Sequence, residues 1–451
     1  MSARAVDHYG PGMATARTPS LWLDQLRADD PTALHPLEPL DGDDRADVVV
    51  VGAGLAGLWT AYYLLEADPS LDVLVVEADV AGAGATGHGS GWCSADLGVP
   101  GEELIRRHGL AGARALRAAL RDAVVEVGGA AAAEQVDCGF AYGGSVLLAR
   151  TPSDVQRVAE HVQVAADLED DVHLLAADEV AEHVRAAGVL AGAYSPDCAR
   201  VQPAALAHGL RDVVRSRGGR VVERTRALRV SPRAVATDRG TVRTRWTVVA
   251  TGAGPALSSG DHRAVVPRHA VAVATAPLTP EQWEAVGLPR AQTFADDAGH
   301  VRGERTADDR LVVLSTAEPS WPAPDEDRAA GRLRDTLLDL FPVLDGTPLT
   351  HRWRATVGAT RDGHPSVGLD TDGIGWVRGL GLDGAAAANL AGRTLADLVT
   401  GAGGPLVRLP WVGHRSPAWP LAPVRVLGNA VARVSAARAP RARASAPTAR
   451  R

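Results

Sequence analysis

The spacing of apolar positions along the chain alternates between strand and helix character. A β-branched run at Asp47 to Val51 meets a cluster of glycines, apolar residues at helical spacing follow from Leu55 to Ala67, and a second run spans Asp72 to Glu77. That order spells a βαβ unit. Leu104 to Val127 carries Leu116, Leu120, Val124 and Val127 on one helical face, with breaks near Gly109 and Gly112, and is expected to pack against the sheet. Residues 139–195 and 263–354 instead alternate short strand-like runs (Gly144 to Ala149, His269 to Ala276, Leu311 to Leu314) with polar helical stretches, as in an antiparallel sheet with helices.

Val221 to Gly254 and Gly373 to Gly401 return to the character of the first unit, the latter as a long Ala-rich helix. The predicted fold class is therefore α/β, a Rossmann-like domain with an inserted antiparallel-sheet α+β domain. The first would comprise residues 46–138, 196–262 and 355–402, and the second 139–195 and 263–354. Residues 1–45 read as an N-terminal arm whose patch Leu21, Trp22, Leu23 and Leu26 can dock as a short helix. Residues 403–434 form a C-terminal extension, and 435–451, rich in Ala, Arg and Pro, read as a disordered tail.

A chain of 451 residues exceeds what one hydrophobic core usually serves, which agrees with two joined domains. A net charge of -7 offers no general attraction for nucleic acid or anionic lipid and leaves a small molecule as the expected partner. The opening has no apolar signal region, and the run Val48 to Trp59 is shorter than the roughly 20 residues a membrane helix needs, so a cytoplasmic protein is expected. Cys93, Cys138 and Cys198 are too few and too scattered for a disulfide framework or a zinc site, and no metal is expected. Lysine is absent, so positive charge rests on arginine and, in part, histidine.

Candidate chemistry begins in DVVVVGAGLAGLWTAYYLL, where Gly52, Gly54 and Gly57, with Ala53, Leu55 and Ala56 between them, join strand to helix. The first glycine permits a tight turn, the second a close approach of pyrophosphate, and the third close packing of helix on strand. The helix N-terminus offers free N–H groups and a positive dipole end to phosphates. Glu77, closing the next strand 20 residues beyond Gly57, can accept hydrogen bonds from a ribose diol and argues against a 2′-phosphate. This motif by itself leaves FAD and NAD open.

Four further stretches bear on that choice. GAGATGHGSGWCSA (Gly82 to Ala95) resembles the GASGRNGGWCSA segment that lies under the flavin in the amine-oxidising branch of the D-amino-acid oxidase superfamily, which includes γ-glutamylputrescine oxidase-like and glycine oxidase-like proteins. TVVATGAG (Thr247 to Gly254) resembles the second FAD motif of that superfamily, and GLGLDGAAAANLAGRTLADLVTG (Gly379 to Gly401) its closing flavin-binding loop and helix. LPWVGHRSPAW (Leu409 to Trp419) resembles the tail of one bacterial branch, and the likeness spans Ala46 to Leu427. The resemblance implies non-covalent FAD, because the position of the covalent flavin cysteine in sarcosine oxidase relatives falls on Ala355. To the cofactor-binding residues it adds Ala85, Thr86, Gly87, His88, Gly91, Ala227, Ala250, Thr251, Gly252, Gly381, Leu382, Asp383 and Gly384.

The activity it implies is oxidation of a small amine or amino acid, with hydride passing to flavin N5 and an imine released that hydrolyses. Arg305, in ERTADDR, resembles part of an RTADGR turn and is expected either to clamp a substrate carboxylate or to form a structural salt bridge. His269 is a candidate base or oxygen-side cation. Asp383 is expected to cap the closing helix, whose N-terminus would stabilise reduced flavin. Several positions depart from the family pattern: His88, Gly89, Ser90 and Gly91 stand for RNGG, Leu382 for a glycine, Arg352 to Ala355 for RWAG, and Val313 to Ser315 for Phe-Gly-Gly. Leu382 is expected to crowd the ring or to line the substrate cavity. These departures cluster on the ring half and leave a catalytically silent flavin-binding protein as the alternative. The flavin-side lysine that some relatives use with oxygen is missing, so either arginine or histidine replaces it or the electron acceptor is not oxygen.

Overall fold

The computed structural model describes residues 19–258, 263–289, 291–296, 301–316 and 323–420; the tail expected over 435–451 lies outside them. The first sheet runs in the order Ala227–Ser231, Ala234–Thr237, Thr241–Val249, Asp44–Val51, Val73–Val76, Arg220–Val222. Its centre is parallel: Asp44–Val51 pairs with Thr241–Val249 on one side and Val73–Val76 on the other. The end of Thr241–Val249 also pairs in parallel with Ile374–Arg378, which seats the closing segment one strand away from Asp44–Val51. Val48 to Val51 are all buried because both faces of this strand are covered. Val48 and Val50 meet helices Leu55–Ala67, Gly101–Ala133 and Gly384–Thr400, and Val49 and Val51 meet the hairpin side. Helices Leu55–Ala67 and Gly384–Thr400 cross closely at Gly392, where a Cβ would stand 2.6 Å from the Trp59 Cβ. Gly101–Ala133 bends at Gly109, whose φ of 71° only glycine adopts easily.

The second sheet runs Leu349–Ala359, Val266–Thr275, Leu311–Ser315, Val301–Arg305, Thr293–Asp296, Ser145–Ala149, Ala191–Ser195, His173–Ala176. Its neighbours are antiparallel except Thr293–Asp296 with Ser145–Ala149, a parallel pair joining the two sequence-distant halves. Leu349–Ala359 stays in this sheet past position 355, where the sequence reading places a boundary. One face is sealed by helix Glu326–Leu340 through Val271, Val273, Val313, Leu333 and Leu337. The other presents Ala270, Ala272, Ala274, Val312, Leu314, Trp353 and Ala355 toward the first domain. A small sheet of Trp92–Ser94, Cys198–Arg200 and Ala141–Tyr142 contributes a further pairing between sequence-distant segments. Among the described residues no helix is long and apolar enough to cross a membrane, and no group of three or more His, Cys, Asp or Glu is placed to hold a metal ion.

The arm docks as a helix, Leu21–Asp29, with Leu21, Trp22 and Leu23 buried on that small-residue face of the second sheet. The Ser20 side chain accepts from the Leu23 N–H as an N-cap. Trp22 meets Trp353 edge to face, with ring centroids 6.3 Å apart. Replacing Trp22 with alanine removes one of the largest side chains in this contact. Trp22→Ala is expected to lower stability by about 3–5 kcal/mol, measured by denaturant unfolding; a loss under about 1 kcal/mol would mean the helix does not bear on the fold.

Candidate functional site at the junction of the two domains

The dinucleotide turn has the geometry its glycines predict. Gly52 has φ +107° and lies so close to the Thr241–Val249 side that a Cβ would stand 2.7 Å from the Ala250 oxygen. A Cβ on Gly57 would fall 1.9 Å from the Gly52 oxygen, which forces glycine where helix meets strand. Gly54 occupies the N-cap position and places no side-chain cap over the first helical N–H groups. The Leu55 N–H reaches the Thr86 hydroxyl at 3.2 Å, so the turn and the segment after Glu77 already face one another. Glu77 accepts the Ala53 N–H at 2.7 Å and the Asp79 N–H at 2.9 Å. Burial pushes its carboxyl above the ordinary value, and those two donors oppose the rise. Ala250 donates to Val51, and Ala227 is buried in the hairpin-side cluster with Val49 and Val51. Glu223, which the motif search missed, is fully buried and accepts the N–H groups of Ala81 (2.8 Å) and Leu37 (2.7 Å), tying the arm to the nucleotide domain.

The segment Gly87–Gly91, expected to lie under the flavin ring and called the ring-side segment below, is fastened residue by residue. Ser20 donates to the Gly87 oxygen, Trp353 Nε1 to His88 at 2.9 Å, and Trp22 Nε1 to Gly89 at 3.0 Å. Ser90 donates to Asp383 at 2.8 Å, and the Gly91 N–H to Glu304 at 2.7 Å. Ala85 leads into this segment, a short helical turn at Thr86–His88. A Cβ on Gly89 would come within 3.2 Å of both the Ala85 and Leu382 oxygens, so small residues are needed where the segment passes the closing loop.

Beside it lies a cavity of about 170 Å³ lined by Arg268, Arg302, Thr316, Val357, Leu382 and Asp383. Gly381 and Gly384 bracket Leu382 and Asp383, with Gly381 at φ +77° turning the loop into the helix. Leu382 lines this cavity and also packs on the cluster of Trp22 and Trp353. Asp383 holds the N-cap position of Gly384–Thr400 but makes no side-chain cap, contrary to expectation. Its carboxylate is instead taken by Ser90 and by an ion pair with Arg302, whose guanidinium also lies 5.4 Å from the Trp92 ring centre.

Strand alternation redirects the two expected catalytic residues. On Val301–Arg305, Arg302 and Glu304 face the ring-side segment, whereas Arg305 faces the other way. There it donates to Asp309 at 2.7 and 3.0 Å and covers the Trp283 ring at 4.2 Å. On Val266–Thr275, Arg268 faces the cavity and His269 the opposite layer, where its Nδ1 lies 3.0 Å from the Thr356 hydroxyl. Neither Arg305 nor His269 is brought to the cavity. The arginines that are, Arg268 and Arg302, each sit an odd number of residues from the one expected, and the alternation of their strands with buried Ala and Val was the available signal.

A family model described as DAO, FAD dependent oxidoreductase, matches residues 47–398. The chain belongs to the DAO family of FAD-dependent oxidoreductases. It is 26% identical over 376 residues to gamma-glutamylputrescine oxidoreductase of Escherichia coli (strain K12), covering 81% of this chain and 86% of that one. It is 25% identical over 369 residues to glycine oxidase of Bacillus licheniformis, covering 79% and 94%. Among solved structures, glycine oxidase from Geobacillus kaustophilus superimposes with a TM-score of 0.67 at 22% identity, covering 82% of this chain and 99% of that one, and shares the fold.

FAD is the cofactor of this DAO-family enzyme, and the residues present fit it. The glycine turn, the helix start after Gly54 and the Glu77 carboxylate suit the dinucleotide half, and the cavity lined by the Gly379–Asp383 loop leaves space beside it. Glu77→Ala is expected to weaken FAD by about 1.5–3 kcal/mol for each ribose hydrogen bond lost, read by flavin fluorescence titration; unchanged affinity would remove Glu77 from the site.

Proposed function

We propose that this DAO-family oxidoreductase oxidises a small amine or amino acid and holds its FAD without a covalent bond. The observation that carries the reading is the cavity between Asp96–Gly98, the closing loop and the second sheet, with Arg268 and Arg302 in its wall. The names of the gamma-glutamylputrescine oxidoreductase and glycine oxidase relatives support an amine donor. When bound, FAD supplies the hydride-accepting centre at N5. The work left to the chain is binding, orientation and exclusion of water. Arg268 and Arg302 are the cationic groups of a cavity wall in which Asp96 and Asp383 balance their charge, and Arg302 would exchange its Asp383 partner for an anionic substrate group. The closing helix N-terminus and these arginines favour negative charge at the reduced ring, a role no lysine can fill in this chain. Non-covalent attachment is supported by Ala355, fully buried in the second sheet, and by three buried free cysteines.

The Arg302–Asp383 pair, together with Leu382 in the cavity wall, also favours a second reading, a flavin-binding protein without turnover. Anaerobic mixing with a panel of amines and amino acids separates the two: bleaching of the flavin by at least one supports the enzyme, and none supports the silent form.

Two outcomes are expected from this reading. Acid precipitation should leave the flavin in the supernatant, and flavin retained in the pellet would refute non-covalent attachment. Arg302→Met should slow amine-dependent flavin reduction by about tenfold or more, whereas Arg305→Met, on the far face, should leave it within about twofold; a tenfold change in rate is about 1.4 kcal/mol of barrier. Equal effects of the two substitutions would contradict the assignment of faces.

A further inference from the structure

Glu304 is a buried acid that the proposed chemistry does not use. Its side chain lies on the ring-side face of Val301–Arg305 and is 2% exposed. One oxygen, Oε1, accepts the Gly91 N–H at 2.7 Å. The other, Oε2, is enclosed and receives no hydrogen bond among the described residues. A Cβ on Gly91 would stand 2.4 Å from that oxygen and 2.7 Å from the Val201 carbonyl oxygen. Oε2 thus lies against Gly91 in an enclosed place with no donor to it among the described residues.

The charged and titratable groups around Glu304 do not supply that donor. Arg200, from Cys198–Arg200, draws the carboxyl toward its ionised form, yet its guanidinium donates to the carbonyls of Arg305 (3.5 Å) and Gly139 (3.4 Å). Arg302, on the same face of the same strand, is paired with Asp383, and Asp96 lies beyond it at 3.9 Å from Arg302. Cys198 is neutral, its thiol pushed up to about 12 by burial, and burial likewise raises Cys93. A proton on Glu304 itself satisfies the geometry, since the neutral acid is a donor as well as an acceptor.

We propose that Glu304 is a positioning residue that works as a neutral acid: with its proton the enclosed carboxyl holds Gly91 without a buried charge, and release of that proton to solvent loosens the ring-side segment and its grip on FAD. Burial pushes its pKa from the ordinary 4.5 up to about 7, partly opposed by the Gly91 N–H and Arg200. The sign follows from that rise. Between 4.5 and about 7 the folded chain holds the proton and the unfolded chain does not, so the stabilisation is complete below 4.5 and is lost as pH climbs through about 7.

The coupling to FAD rests on the FAD site described above. The test compares wild-type protein with Glu304→Gln, whose amide retains an oxygen for Gly91 but cannot ionise. Between about pH 5 and pH 8, the thermal midpoint of the wild type should fall relative to that of Glu304→Gln. Over the same interval its FAD dissociation constant should rise relative to the variant by roughly tenfold, the effect of one pKa unit of coupling. Should Glu304→Gln not fold, Glu304→Met, which also cannot ionise, must give the same relative slope even from a lower midpoint. A midpoint difference that stays constant with pH overturns the proposal, as does FAD affinity whose ratio to the variant is flat. Protein that binds no FAD at any pH would refute the FAD site instead, and the thermal arm would still decide the protonation of Glu304.

Discussion

The side-chain fastening of Gly87 to Gly91 is the constraint on which the rest of the site depends. Three successive carbonyls are held by Ser20, Trp353 and Trp22, and the next two residues are held through Asp383 and Glu304. These partners come from the N-terminal arm, two strands of the second sheet and the start of the closing helix. A segment with glycine at three of five positions has few side chains of its own to pack, so its conformation must be set largely from outside. Buried carbonyls left unpaired would each cost free energy, which makes the arrangement cooperative: moving any one element strands an acceptor.

This explains why the arm belongs to the site. Its helix buries Leu21, Trp22 and Leu23 on the alanine face of the second sheet while its polar atoms reach the ring-side segment. The alanines at 270, 272 and 274 leave room for the two tryptophans to meet. Where that face reaches the cavity, arginine replaces alanine at 268, and Arg302 lies on the same side of its own strand. One face of one sheet thus changes from packing surface to charged cavity wall along its length.

Much of this organisation was legible in the residues. The helix Leu55–Ala67 and the docked arm follow from apolar spacing, and Gly52 and Gly57 from the turn they must make. The single residues chosen on strands are the ones not brought to the cavity. A strand reverses its face at every residue, so choosing His269 over Arg268, or Arg305 over Arg302, sends the side chain to the opposite layer. The motif around Arg305 marks a strand that reaches the cavity wall through Arg302, on the face opposite Arg305. Asp383 was located correctly as the residue before the closing helix, but its partners Ser90 and Arg302 are 293 and 81 positions away, and no local pattern announces them. The same holds for Glu223 and Glu304, whose importance lies in backbone N–H groups brought to them by the fold.

Amide hydrogen exchange of the FAD-loaded protein, followed on peptides covering Gly87 to Gly91, tests this account most directly. If the segment is held as described, its exchange should be as slow as that of the central strand Asp44–Val51, and shortening the chain to remove Leu21–Asp29 should speed it while leaving that strand protected. Fast exchange of the segment in the full-length protein, or no change when the helix is removed, would contradict it.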